Sequence, residues 1–121
     1  MNTIISAVSI DTADAAGLAA FWAQALGRPV NPGATANYAA IDAADPADGP
    51  KLTFHKAPET SAVKNRLRLA LRTDRFESES LRLVGLGAKP LGDHEKPSLR
   101  WTTFADPDGN EFDLVTALPA A

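Results

Sequence analysis

The sequence predicts an α+β protein in which one pattern is used twice. A strand-like run, a capped helix ending in glycine and then short strands occur near the start and again about 60 residues on. In the internal alignment Ile10-Asp11-Thr12 lies opposite Leu71-Arg72-Thr73, and Ala25-Leu26-Gly27 opposite Gly85-Leu86-Gly87. Neither half is long enough to bury a core of its own. The halves are therefore expected to form a single domain over 1–121, with a first module at about 1–58 and a second at about 64–118.

The elements can be taken in order from local chemistry. Residues 4–10 alternate, with Ile4, Ser6, Val8 and Ile10 on one face, which predicts a strand. Asp14 offers a carboxylate to the free N–H groups of a starting helix. Leu18, Phe21, Trp22, Ala25 and Leu26 then form one apolar stripe at helical spacing. Gly27 can take the positive φ that ends a helix, and Pro29 prevents its continuation. Residues 31–36 are turn-rich, 37–41 read as a short strand, 45–50 as a turn, and 51–56 as a strand with Leu52 and Phe54 opposite Thr53 and His55. Residues 57–64 read as a solvated linker.

The second half repeats this. Residues 66–73 alternate, with Leu67, Leu69 and Leu71 against three arginines and an alanine. Asp74 precedes Glu77 by three positions, the spacing of a capping box, and a helix is expected to run through Leu81, Val84 and Leu86 to Gly87. Gly92 to Lys96 reads as a polar loop. Strands are expected at 98–105 and 110–115, on either side of an Asp106-Pro107-Asp108-Gly109 turn.

Composition excludes several function classes. Apolar residues make up 45% of the chain, enough for a core and too many for a disordered segment. A formal charge of −3 gives no general attraction to phosphate backbones, so no nucleic-acid partner is expected. The absence of cysteine removes disulfides, thiolate catalysis and Cys-ligated zinc. The apolar stretches are too short to cross a bilayer, and residues 1–5 lack the pattern of a signal peptide. A soluble cytoplasmic protein with no membrane partner is the expectation. No Gly-rich phosphate loop, Glu-x-x-His spacing or serine nucleophile motif occurs.

Residues 18–27 (LAAFWAQALG) and 101–115 (WTTFADPDGNEFDLV), with 64–67 (KNRL) and 82–88 (RLVGLGA), resemble the glyoxalase/bleomycin resistance/dioxygenase superfamily, also called vicinal oxygen chelate proteins, in its glyoxalase-like branch. The resemblance covers nearly the whole chain and respects the repeat. It implies two tandem βαβββ modules forming a curled mixed sheet around a ligand pocket, commonly in a homodimer. It also implies a divalent metal held by four His, Glu or Gln side chains, two from each module, and acting as a Lewis acid. Carried over, these positions fall on Ala7, His55, Arg68 and Asp113, with Glu111 two residues before the last.

Only His55 and Asp113 are ligand types. A methyl cannot coordinate, and a guanidinium has no free lone pair and repels a dication. The set argues for a metal-free pocket without a cofactor, the alternative being a divalent ion held weakly by His55 and Asp113 with waters. Arg68 is then either an anion clamp for a small carboxylate, enolate or phosphate, or an internal salt bridge to Asp113 in the vacated site. Arg66 and Arg72 share its strand face, as a solvated edge or as a bias towards acidic ligands. A two-strand count across the 106–109 turn puts Thr102 beside Asp113 and sends Trp101 towards the helices. A one-residue slip reverses that and lets Trp101 stack on a flat ligand. His94 belongs to the polar loop, solvated or at the pocket mouth.

The expected function is binding of an unidentified small molecule, with His55, Arg66, Arg68, Thr102 and Asp113 as candidate contacts. Two alternatives stand beside it. One is an enzyme, either a metal-dependent lyase, isomerase or dioxygenase or a metal-free catalyst using His55 and Arg68. The other is a ligand-sensing accessory dimer. Fold alone cannot choose among them.

Overall fold

The structure is a computed structural model that describes residues 5–43, 45, 47, 49–57 and 67–118. The chain divides into two compact units, Met1–Ala62 and Val63–Ala121.

The first unit contains β1 (Ala7–Thr12), α1 (Ala15–Leu26), β2 (Tyr38–Ile41) and β3 (Lys51–Lys56). Its sheet has the order β1-β3-β2, with β1 parallel and β2 antiparallel to β3. The Asp14 carboxylate accepts from the Gly17 N–H at 3.2 Å and starts α1 where the sequence placed its cap. Gly27 ends the helix at φ 65°, in the left-handed region that a side chain would strain. The stripe of Leu18, Phe21, Trp22 and Ala25 is buried, and α1 packs on β2 and β3, whose Ile41, Leu52 and Phe54 are buried too. Arg28, just beyond the helix, donates to the carbonyls of Ile41 and Asp42 at 3.2 Å each and to that of Pro50 at 3.5 Å. One guanidinium thus joins the end of β2 to the segment entering β3.

The second unit contains β4 (Leu69–Arg72), α2 (Phe76–Leu86), β5 (Lys89–Lys96), β6 (Leu99–Ala105) and β7 (Glu111–Ala117). Its sheet has the order β4-β7-β6-β5, parallel only between β4 and β7. Leu83, Phe104, Phe112 and Leu114 form its centre, with the two phenyl rings stacked 5.6 Å apart.

Three expectations are corrected. The strands do not make one curled mixed sheet around a pocket; among the described residues they fall into two separate sheets, of three and four strands. Among the described residues the first unit runs β1-α1-β2-β3, and residues 31–36, with Pro32 and a Gly33 at φ 89°, make the turns expected there, so the modules are βαβββ-like. Asp74 does not cap α2: Arg75 occupies the cap without a side-chain bond, and Glu77 is taken by Arg100 at 2.7 Å instead of reaching back. The Arg100 guanidinium also lies 4.5 Å over the Phe76 ring, so a contact from β6 overrides the local box.

The third correction is β5, within which 92–96 reads as a polar loop. It is an edge strand, and an edge needs no apolar alternation. Its lysines and Pro90, with an irregularity between Pro90 and Gly92, are the features that keep an edge from pairing further.

The turn between β6 and β7 is organised by Asp106, which is 3% exposed. Its Oδ1 accepts from the backbone N–H of Asp108 at 3.0 Å and of Asn110 at 2.9 Å, and its Oδ2 accepts from the Asn110 side chain at 3.0 Å. The ladder closes at Ala105↔Glu111, so Asn110 lies in the turn rather than in β7. Asp106→Ala is expected to lower the unfolding free energy by about 2–3 kcal/mol, the scale of hydrogen bonds to a buried charged group. Asp106→Asn, which keeps an acceptor for the two backbone donors, should cost less. Urea denaturation of both variants checks the order.

Candidate functional site

In each sheet one strand face packs on its helix and the other carries polar and aromatic side chains. The second unit concentrates charge there. On β7, Phe112 and Leu114 are buried towards α2, while Glu111 and Asp113 alternate onto the opposite face. Thr103 is the cross-strand partner of Asp113 and donates its hydroxyl to Asp113 Oδ1 at 2.6 Å. Arg68, one residue before β4, places Nη2 at 3.2 and 3.3 Å from the two Asp113 oxygens. The same nitrogen lies 3.5 Å from Thr103 Oγ1, and Nη1 lies 3.6 Å from Glu111 Oε1. The carboxylates are mostly sheltered, at 19% and 24% exposure, and the arginine is 46% exposed. One cation therefore meets two anions whose positions the strand pleat fixes.

Beside this cluster stands an aromatic pair. Trp101 lies on the Thr103 face of β6, and its cross-strand partner His94 stacks on it with ring centroids 5.2 Å apart. Lys96 Nζ is 5.8 Å from the same indole. Between His94 and Thr103 the sheet carries Gly92, the partner of Thr103, and the His94 ring leans over it.

The first unit presents a row of hydroxyls on its corresponding face, with Asp11 as the cross-strand partner of His55 and Lys51 as that of Ala7. His55 Nε2 is 3.2 Å from Thr53 Oγ1, which is 2.9 Å from Ser9 Oγ, and the Tyr38 ring meets the imidazole edge-on at 5.1 Å. Ala7, Ser9, Thr53 and His55 share this face by register, as do Tyr38 and Ala40. A cleft of about 220 Å³ opens beside it, lined by Asn31, Gly33, Tyr38, Ala40 and Lys51. Next to the cleft, a hydrogen bond with Asn31, reinforced by the Lys51 ammonium at 3.4 Å, holds the Asp42 carboxyl below the usual carboxylate range.

The sequence-derived candidates fare differently. Arg68 and Asp113 are brought together. His55 lies in the first unit with Thr53, Ser9 and Tyr38. Thr102 turns to the helix side, where its hydroxyl donates to Asp93 at 2.5 Å, and Thr103 takes the place beside Asp113. Arg66 lies outside the described residues. Thr103, His94 and the face of Trp101 depended on a one-residue count across the turn and on an edge strand without periodicity.

Among the described residues no group of three or more His, Asp or Glu side chains is gathered as a metal ion needs. Trp22, 1% exposed, and Trp101, half-buried, should respond differently to truncation. Trp22→Ala should cost about 3–5 kcal/mol. Trp101→Ala should cost about 1–2 kcal/mol, because only part of its ring is packed. Chemical denaturation of both variants decides it; equal losses would return Trp101 to the core.

A family model described as a glyoxalase-like domain matches residues 7–115. No curated protein matches the chain in sequence. Among solved structures, a glyoxalase/bleomycin resistance protein/dioxygenase family enzyme from Burkholderia phytofirmans superposes with a TM-score of 0.76 at 20% identity, covering 96% of this chain and 100% of that one. The fosfomycin resistance protein FosX from Mesorhizobium loti gives 0.71 at 14% identity over 98% and 94% of the two chains. TioX from a Micromonospora species gives 0.65 at 15% identity over 96% and 100%. At these identities the likeness is one of fold. With the family model spanning almost the whole chain, the protein belongs to the glyoxalase-like domain family of the glyoxalase/bleomycin resistance/dioxygenase superfamily.

Proposed function

We propose that the protein binds a small organic molecule through its own side chains, without a divalent metal ion. The observation that carries this is the Arg68–Asp113 pair, which stands at the two second-module positions where the superfamily resemblance implies metal ligands. The guanidinium stays protonated at neutral pH and has no lone pair to give. Ala7 contributes a methyl at the first position, which leaves His55 as the only neutral donor of the four. These residues do not fit a divalent ion.

The same pair bears on the ligand's charge. Arg68 is engaged by Asp113 and approached by Glu111, so it is not a free clamp for an anion. Recognition then falls to contact and neutral hydrogen bonding. In the second unit Trp101 and His94 offer a flat surface for stacking. Assembly as a two-fold homodimer belongs to the same proposal: among the described residues β1, β2, β4 and β5 are sheet edges, and pairing copies is a common way to cover such surface.

Titration calorimetry with Zn²⁺, Ni²⁺, Mn²⁺ or Fe²⁺ should show no stoichiometric binding. About one tightly held metal per chain, lost on mutating His55 or Asp113, would overturn the proposal. In a thermal-shift screen, neutral aromatic compounds should raise the melting temperature at least as much as their carboxylate analogues. A consistent advantage for the anions, abolished in Arg68→Met, would instead make Arg68 a ligand clamp. Light scattering should give twice the chain mass; a single-chain mass across a wide concentration range would remove the dimer.

A further inference from the structure

We propose that a ring-binding slot crosses the second sheet above Val115, between the Trp101 indole and the Arg72 guanidinium, and takes one uncharged aromatic ring with an electron-rich face. The inference rests on the metal-free small-molecule reading and deepens it by naming the place and the ligand class. Cross-strand register aligns Arg72 with Val115, Val115 with Trp101 and Trp101 with His94, in a single row over β4, β7, β6 and β5. By strand alternation these side chains lie on the face that carries Asp113 and Thr103.

His94 stacks on the indole from β5, with centroids 5.2 Å and planes 25° apart, so the indole stands as a wall whose other face turns to β7. Val115 is the floor below that face and is half-buried. Along β7, Asp113 before it is drawn to Arg68 and Thr103, and Ala117 after it carries only a methyl. Arg72 stands on the far side, exposed, and its guanidinium makes no hydrogen bond or ion pair with a described residue. Trp101 and Arg72 are two strands apart, about 9.6 Å between backbones at the usual strand spacing. A ring with stacking contacts of about 3.5–4.0 Å on each face needs about 7–8 Å. The row therefore has room for one ring and not for two.

The chemistry of the walls sets the ligand class. A guanidinium stacks on aromatic faces and is attracted to their electron density. Arg72 brings a full charge and the indole only a quadrupole, so the cation decides for an electron-rich ring. A carboxylate in the slot would lose hydration against Val115 and the indole, with Asp113 next along β7 to repel it. A second copy of the chain fits less well, because a row one residue deep cannot supply the roughly 1,000 Å² that a stable protein interface buries.

The test titrates 4-methylphenol, 4-methylbenzonitrile and 4-methylbenzoate, which share one shape and differ in being electron-rich, electron-poor and anionic. Correlation NMR follows the Val115 methyls and the two indole N–H signals, with Trp22, 1% exposed, as the internal control. The phenol should shift Trp101 and Val115 saturably and leave Trp22 unmoved. It should bind about threefold more tightly than the nitrile, the size of one exposed cation–π contact. Arg72→Met should remove that preference. Trp101→Leu, which keeps apolar volume and so protects the fold, should abolish the saturable response at Val115.

No response at Trp101 and Val115 would overturn the slot, as would a preference for the nitrile or the benzoate, or one that survives Arg72→Met. Responses confined to other signals would overturn the slot and leave the small-molecule reading standing. Binding that appears only after a divalent metal is added would instead count against the metal-free reading, so the two failures are told apart.

Discussion

The carboxylate of Asp106 decides which side chains face which way over half of the second sheet. It holds the backbone and the side chain of Asn110, and so keeps that residue inside the turn. Side chains on a strand alternate with a period of two, so adding one residue to a turn reverses the face of everything paired across it. With Asn110 in the turn, Thr103 rather than Thr102 lies beside Asp113, and Trp101 joins the polar face. Phe104 stacks on Phe112 in the core as a consequence of the same count. One buried acid thus sets both the apolar packing of β6 on β7 and the chemistry of the opposite face.

That opposite face is built on a charge balance rather than on a free charge. Arg68 is shared between Asp113 and Glu111, while the Thr103 hydroxyl donates to Asp113 Oδ1, an oxygen that Arg68 also contacts. Part-exposed ion pairs add little to stability individually, and their value here is positional. The pair offsets the repulsion between two sheltered carboxylates, and beside it the His94 imidazole stacks on the Trp101 indole. On the first sheet the corresponding face is a row of hydroxyls leading to His55, which lies between Tyr38 and its cross-strand partner Asp11.

Both helices show how far local signals reach. In α1 the Asp14 cap, the apolar stripe and Gly27 agree with one another and with the packing, and the helix stands where the sequence put it. In α2 a capping spacing is present at Asp74 and Glu77, but Arg100 claims Glu77 and the box does not form. The difference is a tertiary partner: a long cation on β6 with a phenyl ring beneath it and a carboxylate in reach.

The sequence alone determined the α+β class, the repeated pattern, the span of β3, the core positions of α1 and the superfamily to which the chain belongs. These depend on residue type and short-range periodicity, which a single chain displays directly. It also determined that two of the four positions implied for a metal carry no usable donor, since Ala7 and Arg68 are unsuitable in any conformation. Tertiary structure decided the rest. The polar edge strand β5 exists because β6 pairs with it, not because its own residues alternate. The separation into two sheets depends on which edges hydrogen-bond, a choice that no local pattern encodes. The exchange of Thr102 for Thr103 depended on whether Asn110 belongs to a strand or to a turn. Only the folded Asp106 carboxylate, bonded to the backbone and side chain of Asn110 and to the backbone of Asp108, settles that parity.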